Sequence, residues 1–124
     1  MSDAYPPSPT PPWARPVLSP TIQELTGDGN ISLTEDVTYL ISDTPKDAGD
    51  LSVPYAVVLP DGNSLRQTKR IYVKKDNSLT TAKFQVAGNF IGCTYINFDT
   101  IGWSAVLEWV GDGWTMVGGN AARE

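Results

Sequence analysis

Histidine does not occur in this chain of 124 residues, which limits the chemistry that the other side chains could perform. Histidine is the commonest general base and the commonest transition-metal ligand, so a nucleophile activated by histidine is excluded. The single cysteine, Cys93, lies between Gly92 and Thr94 without an evident activating neighbour, and we interpret it as a small buried thiol. A single cysteine forms no internal disulfide, which is consistent with synthesis in a reducing cytoplasm.

Carboxylates are the remaining groups that could act as acid, base or metal ligand. Paired carboxylates could hydrolyse a glycosidic bond, and Glu108 occupies a strand pattern between Leu107 and Trp109. Most other acids stand beside Gly, Asn, Pro or Ser, where aspartate makes turns. The Asp-Gly-Asn stretch at Asp28 is similar to the start of a calcium loop, but the twelfth position is Tyr39. We therefore predict no enzyme, no metal site and no cofactor.

The first twenty residues, "MSDAYPPSPTPPWARPVLSP", contain seven of the ten prolines. Proline lacks the backbone N–H and has a fixed φ, so residues 1–20 are predicted to form an extended, polyproline-like arm. At about 3.1 Å per residue the arm would reach roughly 60 Å. Because a stiff segment loses little conformational entropy on docking, we expect the arm to bind a partner surface. The expected contact residues are Tyr5, Pro7, Pro12, Trp13, Arg15, Val17 and Leu18.

Residues 21–124 have the pattern of an all-β domain. The stretch "TIQELTGDGNISLTEDVTYLIS" indicates two short strands around a turn at residues 27–30, with a period of two in Val37, Tyr39 and Ile41. The stretch "SAVLEWVGDGWTMVGG" predicts a hairpin that turns at Gly111-Asp112-Gly113. Strands spaced by roughly 8 to 12 residues between Gly, Asp and Asn turns indicate a small antiparallel sandwich or barrel-like domain.

A basic stretch from residue 66 to residue 83 holds six of the nine lysines and arginines. Alternation places Lys69 and Ile71 on one side of a strand and Arg70 and Tyr72 on the other, so neither side is uniformly basic. The stretch is interpreted either as a solvated edge strand protected by lysines or as an electrostatic contact with an acidic protein surface. Under the second interpretation, Arg66, Lys69 and Arg70 contact a partner or a neighbouring subunit.

Three tryptophans follow this stretch. Trp109 and Trp114 flank the predicted hairpin turn and are expected to pair across the two strands. A role in the core or in a subunit interface is favoured over a carbohydrate platform, and Trp103 is a further candidate for contact with a partner or subunit. The net charge of −5 argues against nucleic acid as a partner. No apolar run is long enough for a transmembrane helix, and the first residues lack the pattern of a secretory signal.

The stretches "ELTGDGNISLTEDVTYLI" and "NFIGCTYINFDTIGWSAVLEWVGDGWTMVGGN" carry a family resemblance. They resemble a β-rich module of virion structural proteins from tailed bacteriophages, including cyanophages and marine phages. That module has the pattern G-x-x-x-I-x-F-D-x-x-G-x-S-A-x-L-x-W and closes in W-x-V-x-G-N. The matching residues here are Gly92, Ile96, Phe98, Asp99, Gly102, Ser104, Ala105, Leu107, Trp109, Trp114, Met116, Gly118 or Gly119, and Asn120.

This resemblance covers about residues 22–120 and implies a function as well as a fold. It implies a virion structural protein of the capsid decoration (cement) type or of the head- or tail-fibre type, and the arm favours the first. The favoured function is a capsid decoration protein that is made in the host cytoplasm, forms a homotrimer and binds the major capsid protein at three-fold positions. The arm would then strap neighbouring capsid subunits together. The alternative is a short head- or tail-fibre module that contacts host carbohydrate through Trp103 or Tyr95. A cellular adaptor whose Pro9 and Pro12 are read by a polyproline-binding domain is a third hypothesis.

Overall fold

The described part of the chain consists of strands and loops. The computed structural model describes residues 21–75 and 82–124. Within these ranges there is no helix, and therefore none long and apolar enough to span a membrane. The predicted arm lies outside the described residues, together with its expected contacts Tyr5, Pro7, Pro12, Trp13, Arg15, Val17 and Leu18.

Ten strands make up two sheets of five strands each. The first sheet has the order β1-β3-β5-β8-β9 and the second has the order β10-β7-β6-β4-β2. The strands are β1 (Ile22–Leu25), β2 (Gly29–Asn30), β3 (Val37–Ser42), β4 (Tyr55–Val58), β5 (Thr68–Lys75), β6 (Phe84–Ala87), β7 (Tyr95–Phe98), β8 (Ser104–Trp109), β9 (Trp114–Gly119) and β10 (Ala122–Arg123). The prediction of a small all-β domain is confirmed, and because the two sheets are not closed into a barrel, the structure corresponds to the sandwich of the two predicted alternatives.

The prediction of an antiparallel arrangement is wrong for the first half of the chain. From β1 to β6 the chain alternates between the sheets, so strands that follow each other in sequence do not pair. Instead, β1, β3 and β5 run parallel in the first sheet, and β2, β4 and β6 run parallel in the second. Three turns of a flattened coil are therefore stacked side by side, and the turn at residues 27–30 connects two sheets instead of forming a hairpin.

The last four strands extend this coil with antiparallel pairing. In the first sheet β8 pairs with β5 and with β9. In the second sheet β7 pairs with β6 and with β10. The predicted hairpin at residues 111–113 is present as β8 and β9. A β-bulge opposite Val106 and Leu107 shifts the register of β9.

A single apolar core fills the space between the sheets. Trp109 and Trp114 face each other across the hairpin, as predicted, with ring centroids 5.4 Å apart in an edge-to-face arrangement. The Nε1–H of Trp114 donates to the carbonyl oxygen of Pro60 at 2.9 Å, which satisfies the polar atom of a fully buried ring. Residues buried with them include Leu40, Val57, Ile71, Phe84, Val86, Phe98 and Leu107.

A polar bridge stabilises the first turn of the coil. The side chain of Gln23 on β1 donates to the carbonyl oxygen of Asn30 at 2.9 Å. Its Oε1 accepts from the N–H of Ser32 and from the hydroxyl of Thr38, both at 2.9 Å. Because every partner lies seven or more positions away along the chain, one amide holds three segments together.

Candidate binding surface

The point where the predicted arm joins the body is fixed at Thr21. The carbonyl oxygen of Thr21 accepts from the N–H of Asp36 at 3.1 Å and from that of Val37 at 3.2 Å. The Thr21 hydroxyl oxygen also accepts from the Asp36 N–H, and the hydroxyl donates to the carbonyl oxygen of Thr34 at 3.4 Å. Residues 1–20 therefore continue from a residue that is held to the start of β3.

A polar recess lies beside this attachment point. The recess measures about 260 Å³ and opens to solvent. Asp36, Val37, Thr68 and Arg70 line it, and two of these residues contact Thr21. The exposed Asp36 and Arg70 give the recess one acceptor group and one donor group, so it can bind polar side chains of either kind.

At about 260 Å³ the recess is smaller than ordinary small-molecule sites, which span roughly 300–1,000 Å³. It therefore suits one or two side chains of a partner protein better than a free ligand. The recess and the attachment point share the end of the first sheet at which β1, β3 and β5 begin, because Ile22, Val37 and Arg70 stand in one register row.

The prediction that Lys69 contacts a partner is wrong. Its side chain is only 1% exposed, and its Nζ donates to the carbonyl oxygens of Ser32 at 2.8 Å and Glu35 at 2.7 Å. Desolvation lowers the pKa of Lys69 to about 8, against the partly compensating charges of Glu35 and Asp36. Lys69 therefore holds the loop before β3 in place and does not reach a partner. The predicted alternation is confirmed, since Ile71 faces the core with it.

The two arginines of the predicted contact set are exposed. Arg70 lines the recess on the outer face of the first sheet. Arg66 has φ of 66°, a backbone conformation that is uncommon for residues other than glycine. Its N–H donates to the carbonyl oxygen of Trp109 at 2.8 Å, and its Nε lies 3.3 Å from Oε2 of Glu108. The only carboxylate singled out for catalysis is thus part of a surface ion pair.

Some aromatic residues pack in or against the core, and others lie half-buried on the outer face of the first sheet. Trp109 and Trp114 lie in the core, as favoured from the sequence, and Trp103 is half-buried against it. Tyr39 and Tyr72 form a pair that the sequence analysis did not identify, with ring centroids 6.2 Å apart on the outer face of the first sheet. The Nζ of Lys74 lies 5.2 Å from the Tyr39 ring centroid. Strand alternation could have predicted that both tyrosines face outwards, because Tyr39 precedes the core residue Leu40 and Tyr72 follows the core residue Ile71.

The environments of Cys93 and Asp28 indicate that these two groups stabilise the fold. Cys93 is half-buried against the core, and burial raises the pKa of its thiol, which opposes formation of the nucleophilic thiolate. Oδ1 of Asp28 accepts from the N–H of Ala56 at 2.8 Å and from Nζ of Lys46 at 3.2 Å. These two bonds, the backbone bond first, lower the pKa of Asp28. Asp28 therefore connects the loop after β1 to β4.

Within residues 21–75 and 82–124, no group of three or more Cys, Asp and Glu side chains is arranged to hold a metal ion. No protein-family model matches the sequence, and no similar protein was found among the curated sequences. The functional conclusion therefore depends on the residues and surfaces described above.

Proposed function

We propose that this chain is a capsid decoration (cement) protein of a tailed bacteriophage. It binds the outer surface of the capsid shell as a trimer at three-fold positions, and its arm, residues 1–20, straps neighbouring copies of the major capsid protein together. Its place is the surface of the virion. The observation that carries the proposal is the attachment of a proline-rich segment to a fixed point, Thr21, beside a polar recess.

A strap must transmit load from its partner to a body that resists deformation. Thr21 is bonded to Asp36 and Val37, and the next four residues pair with β3 over the whole of β1. β3 is in turn paired with β5 along six residues. Tension on the arm is therefore distributed over the first sheet. This arrangement supports a role in holding two surfaces together.

The residues of the family resemblance act in the fold rather than in chemistry. Ile96, Phe98, Ala105, Leu107 and Trp114 are each 1% exposed or less. Their burial assigns these positions of the pattern to the core, and burial of apolar surface is the main favourable contribution to folding. The pattern therefore supports membership of a structural class and carries no argument for an enzyme.

The outer face of the second sheet supports self-association. Strand alternation places Ala56, Gln85, Asn97 and Ala122 in one row across β4, β6, β7 and β10. These side chains are short or uncharged. Among the described residues, the one carboxylate bonded to the row is that of Glu124, whose Oε1 accepts from Nε2 of Gln85 at 3.4 Å and from Nδ2 of Asn97 at 2.9 Å, so its charge already has two donors within the chain. Such a face suits a subunit contact of the proposed trimer.

A short head- or tail-fibre module that contacts host carbohydrate is the second candidate. The half-buried pair of Tyr39 and Tyr72 on the outer face of the first sheet favours it, because aromatic faces stack against the apolar faces of sugars and Lys74 adds a hydrogen-bond donor nearby. Tyr95, which was expected to contact sugar under this alternative, is half-exposed on the outer face of the second sheet. Binding of the full chain to a glycan array, lost in Tyr72→Ala, would favour the fibre module.

Deletion of residues 1–20 tests the strap. The full chain and the deletion variant are mixed with DNA-free capsids of the same virion, and bound protein is measured after sedimentation. We expect the full chain to bind and the deletion variant to lose binding while keeping the far-UV circular dichroism and the mass in solution of the full-length oligomer. Equal occupancy of capsids by both proteins would contradict the strap, and failure of the full chain to bind would contradict the proposed function.

A further inference from the structure

Three exposed apolar side chains surround the tip of the β8–β9 hairpin. Leu65 is 70% exposed, Ile91 is 45% exposed and Val110 is 43% exposed. An ideal Cβ placed on Gly111 would lie 3.3 Å from Cδ2 of Leu65, and one placed on Gly113 would lie 2.6 Å from Cδ1 of Ile91. Leu65 therefore lies next to Gly111, and Ile91 lies next to Gly113. We call Leu65, Ile91, Val110 and Gly111 the apolar tip.

Two backbone features hold the apolar tip in this arrangement. Arg66 adopts its left-handed conformation directly after Leu65 and is fixed by the bond from its N–H to the Trp109 carbonyl oxygen. The N–H of Ile91 donates to the carbonyl oxygen of Trp114 at 2.9 Å. A conformation of this kind costs about 1–3 kcal/mol and persists where the surroundings impose it, often at functional sites. The exposed leucine thus directly precedes a residue in an unfavourable backbone conformation that a hydrogen bond to β8 holds in place.

The apolar tip lies at the same end of the first sheet as the root of the arm. Thr68, which lines the recess beside Thr21, stands opposite Glu108 on β8, next to the hairpin tip. The register row of Ile22, Arg70 and Val106 lies two residues further into the sheet. Thr21, where the arm joins the body, therefore lies at the same end of the first sheet as the polar recess and the apolar tip.

The charges around the apolar tip select the type of partner. Asp112 is exposed between the two turn glycines, and Asp61 is exposed and accepts from Nδ2 of Asn89 at 2.7 Å. The Glu108 carboxylate is already paired with Arg66. A second copy that approached end to end would bring like charges together, which opposes self-association. A partner surface with an apolar depression bordered by lysine or arginine would complement both the apolar side chains and the negative charges of the tip.

We infer that the apolar tip docks into an apolar depression with a basic border on the capsid protein, and that it is a second contact independent of the arm. This inference rests on the proposed function. Leu65 inserts as the anchor, since it is the most exposed of the large apolar residues in the described chain. Asp112 and Asp61 approach the basic border, and the arm extends from the same end to a neighbouring subunit.

The test compares Leu65→Asp with Leu51→Asp in the full chain, using DNA-free capsids of the same virion as the probe. Leu51 is 52% exposed but lies in the loop after β3, at the opposite end of the first sheet. We expect Leu65→Asp to raise the apparent Kd about tenfold or more, as truncation of an interface anchor does, and Leu51→Asp to leave it within about twofold. Asp112→Lys, which should also weaken binding, checks the charge of the border.

The outcomes separate this inference from the proposed function. If the unmodified chain binds capsids and both Leu65→Asp and Asp112→Lys bind with the same Kd, the apolar tip is not a contact. The proposed function would still stand in that case. Failure of the unmodified chain to bind capsids would overturn both. Dissociation of the oligomer in Leu65→Asp, measured by its mass in solution, would assign the surface to contacts between copies and overturn the inference.

Discussion

Gly62 provides space for the ring of Trp109, and replacing it with alanine is expected to destabilise the fold. An ideal Cβ on Gly62 would lie 2.3 Å from Cγ and 2.6 Å from Cδ2 of Trp109. Carbon atoms in favourable contact are about 3.5–4.0 Å apart, so the ring would have to move by more than about 1 Å. Trp109 is only 7% exposed and packs against Trp114, whose Nε1–H is bonded to Pro60.

The magnitude follows from these contacts. Overpacking a filled core costs about 1–3 kcal/mol, and weakening the bond between Trp114 and Pro60 adds roughly 1 kcal/mol. We expect Gly62→Ala to lower the free energy of unfolding by about 2–4 kcal/mol. A loss of this size lowers the Tm of a domain of about 100 residues by roughly 10–20 °C. The φ of Gly62 is outside the left-handed region, so the cost is steric.

The assay is urea unfolding followed by far-UV circular dichroism. Gly118→Ala is the matched control, because its Cβ would meet Val106 at an ordinary 3.7 Å, and we expect it to change stability by less than about 0.5 kcal/mol. Trp109→Leu makes room for the new methyl group. The double variant should therefore lose about 1–2 kcal/mol less than the sum of the two single losses. Additive losses, or a cost for Gly62→Ala no greater than that for Gly118→Ala, would refute this account.

Two further predictions concern Lys69 and Gly119. The pKa of Lys69 is about 8 in the folded chain, against 10.5 for an unperturbed lysine. Between pH 8 and pH 10.5 the unfolded chain therefore binds more protons than the folded chain, and the free energy of unfolding rises with pH. Relative to Lys69→Met, the unmodified chain should gain up to about 3 kcal/mol between pH 8 and pH 10.5 in urea unfolding; a flat or falling difference would contradict the burial of a charged amine. Gly119 has φ of 101°, and its Cβ would lie 2.3 Å from the Ser104 carbonyl oxygen, so Gly119→Ala should cost more than about 3 kcal/mol. Gly102→Ala, with φ of 92° and open space around it, is the control in thermal unfolding and should cost about 1–2 kcal/mol; equal costs would show that the contact with Ser104 is unimportant.

Local features were predictable from the sequence. The hairpin of β8 and β9 and the pairing of Trp109 with Trp114 follow from a short glycine turn between two alternating stretches. The alternation within β5 was likewise visible, with Ile71 and Val73 on the core face. Each of these depends on residues close together in sequence, which is the range over which periodicity is informative.

Long-range features were not predictable. Period-two alternation does not reveal whether two strands run parallel, so the pairing of β1 with β3 and of β3 with β5 was missed. The burial of Lys69 depends on carbonyl groups 34 and 37 positions away, and no local pattern encodes them. Gly62, in a Pro-Asp-Gly sequence, has the appearance of a turn glycine, whereas its role is to admit a ring from another strand. The arm contacts and the trimer remain predictions.

The alternating path of the chain from β1 to β6 has a consequence for how the protein folds. Each parallel contact in this half requires a long loop to close first, which makes such pairings slow. The β8–β9 hairpin needs a turn of only four residues, Val110 to Gly113, whereas none of the strands β1 to β5 pairs with the strand next to it in sequence. Until β8 has been synthesised, the edge of β5 that faces away from β3 has no strand to pair with. An unpaired edge is a template for pairing with another chain, so we expect chains that end before β8 to associate through β5.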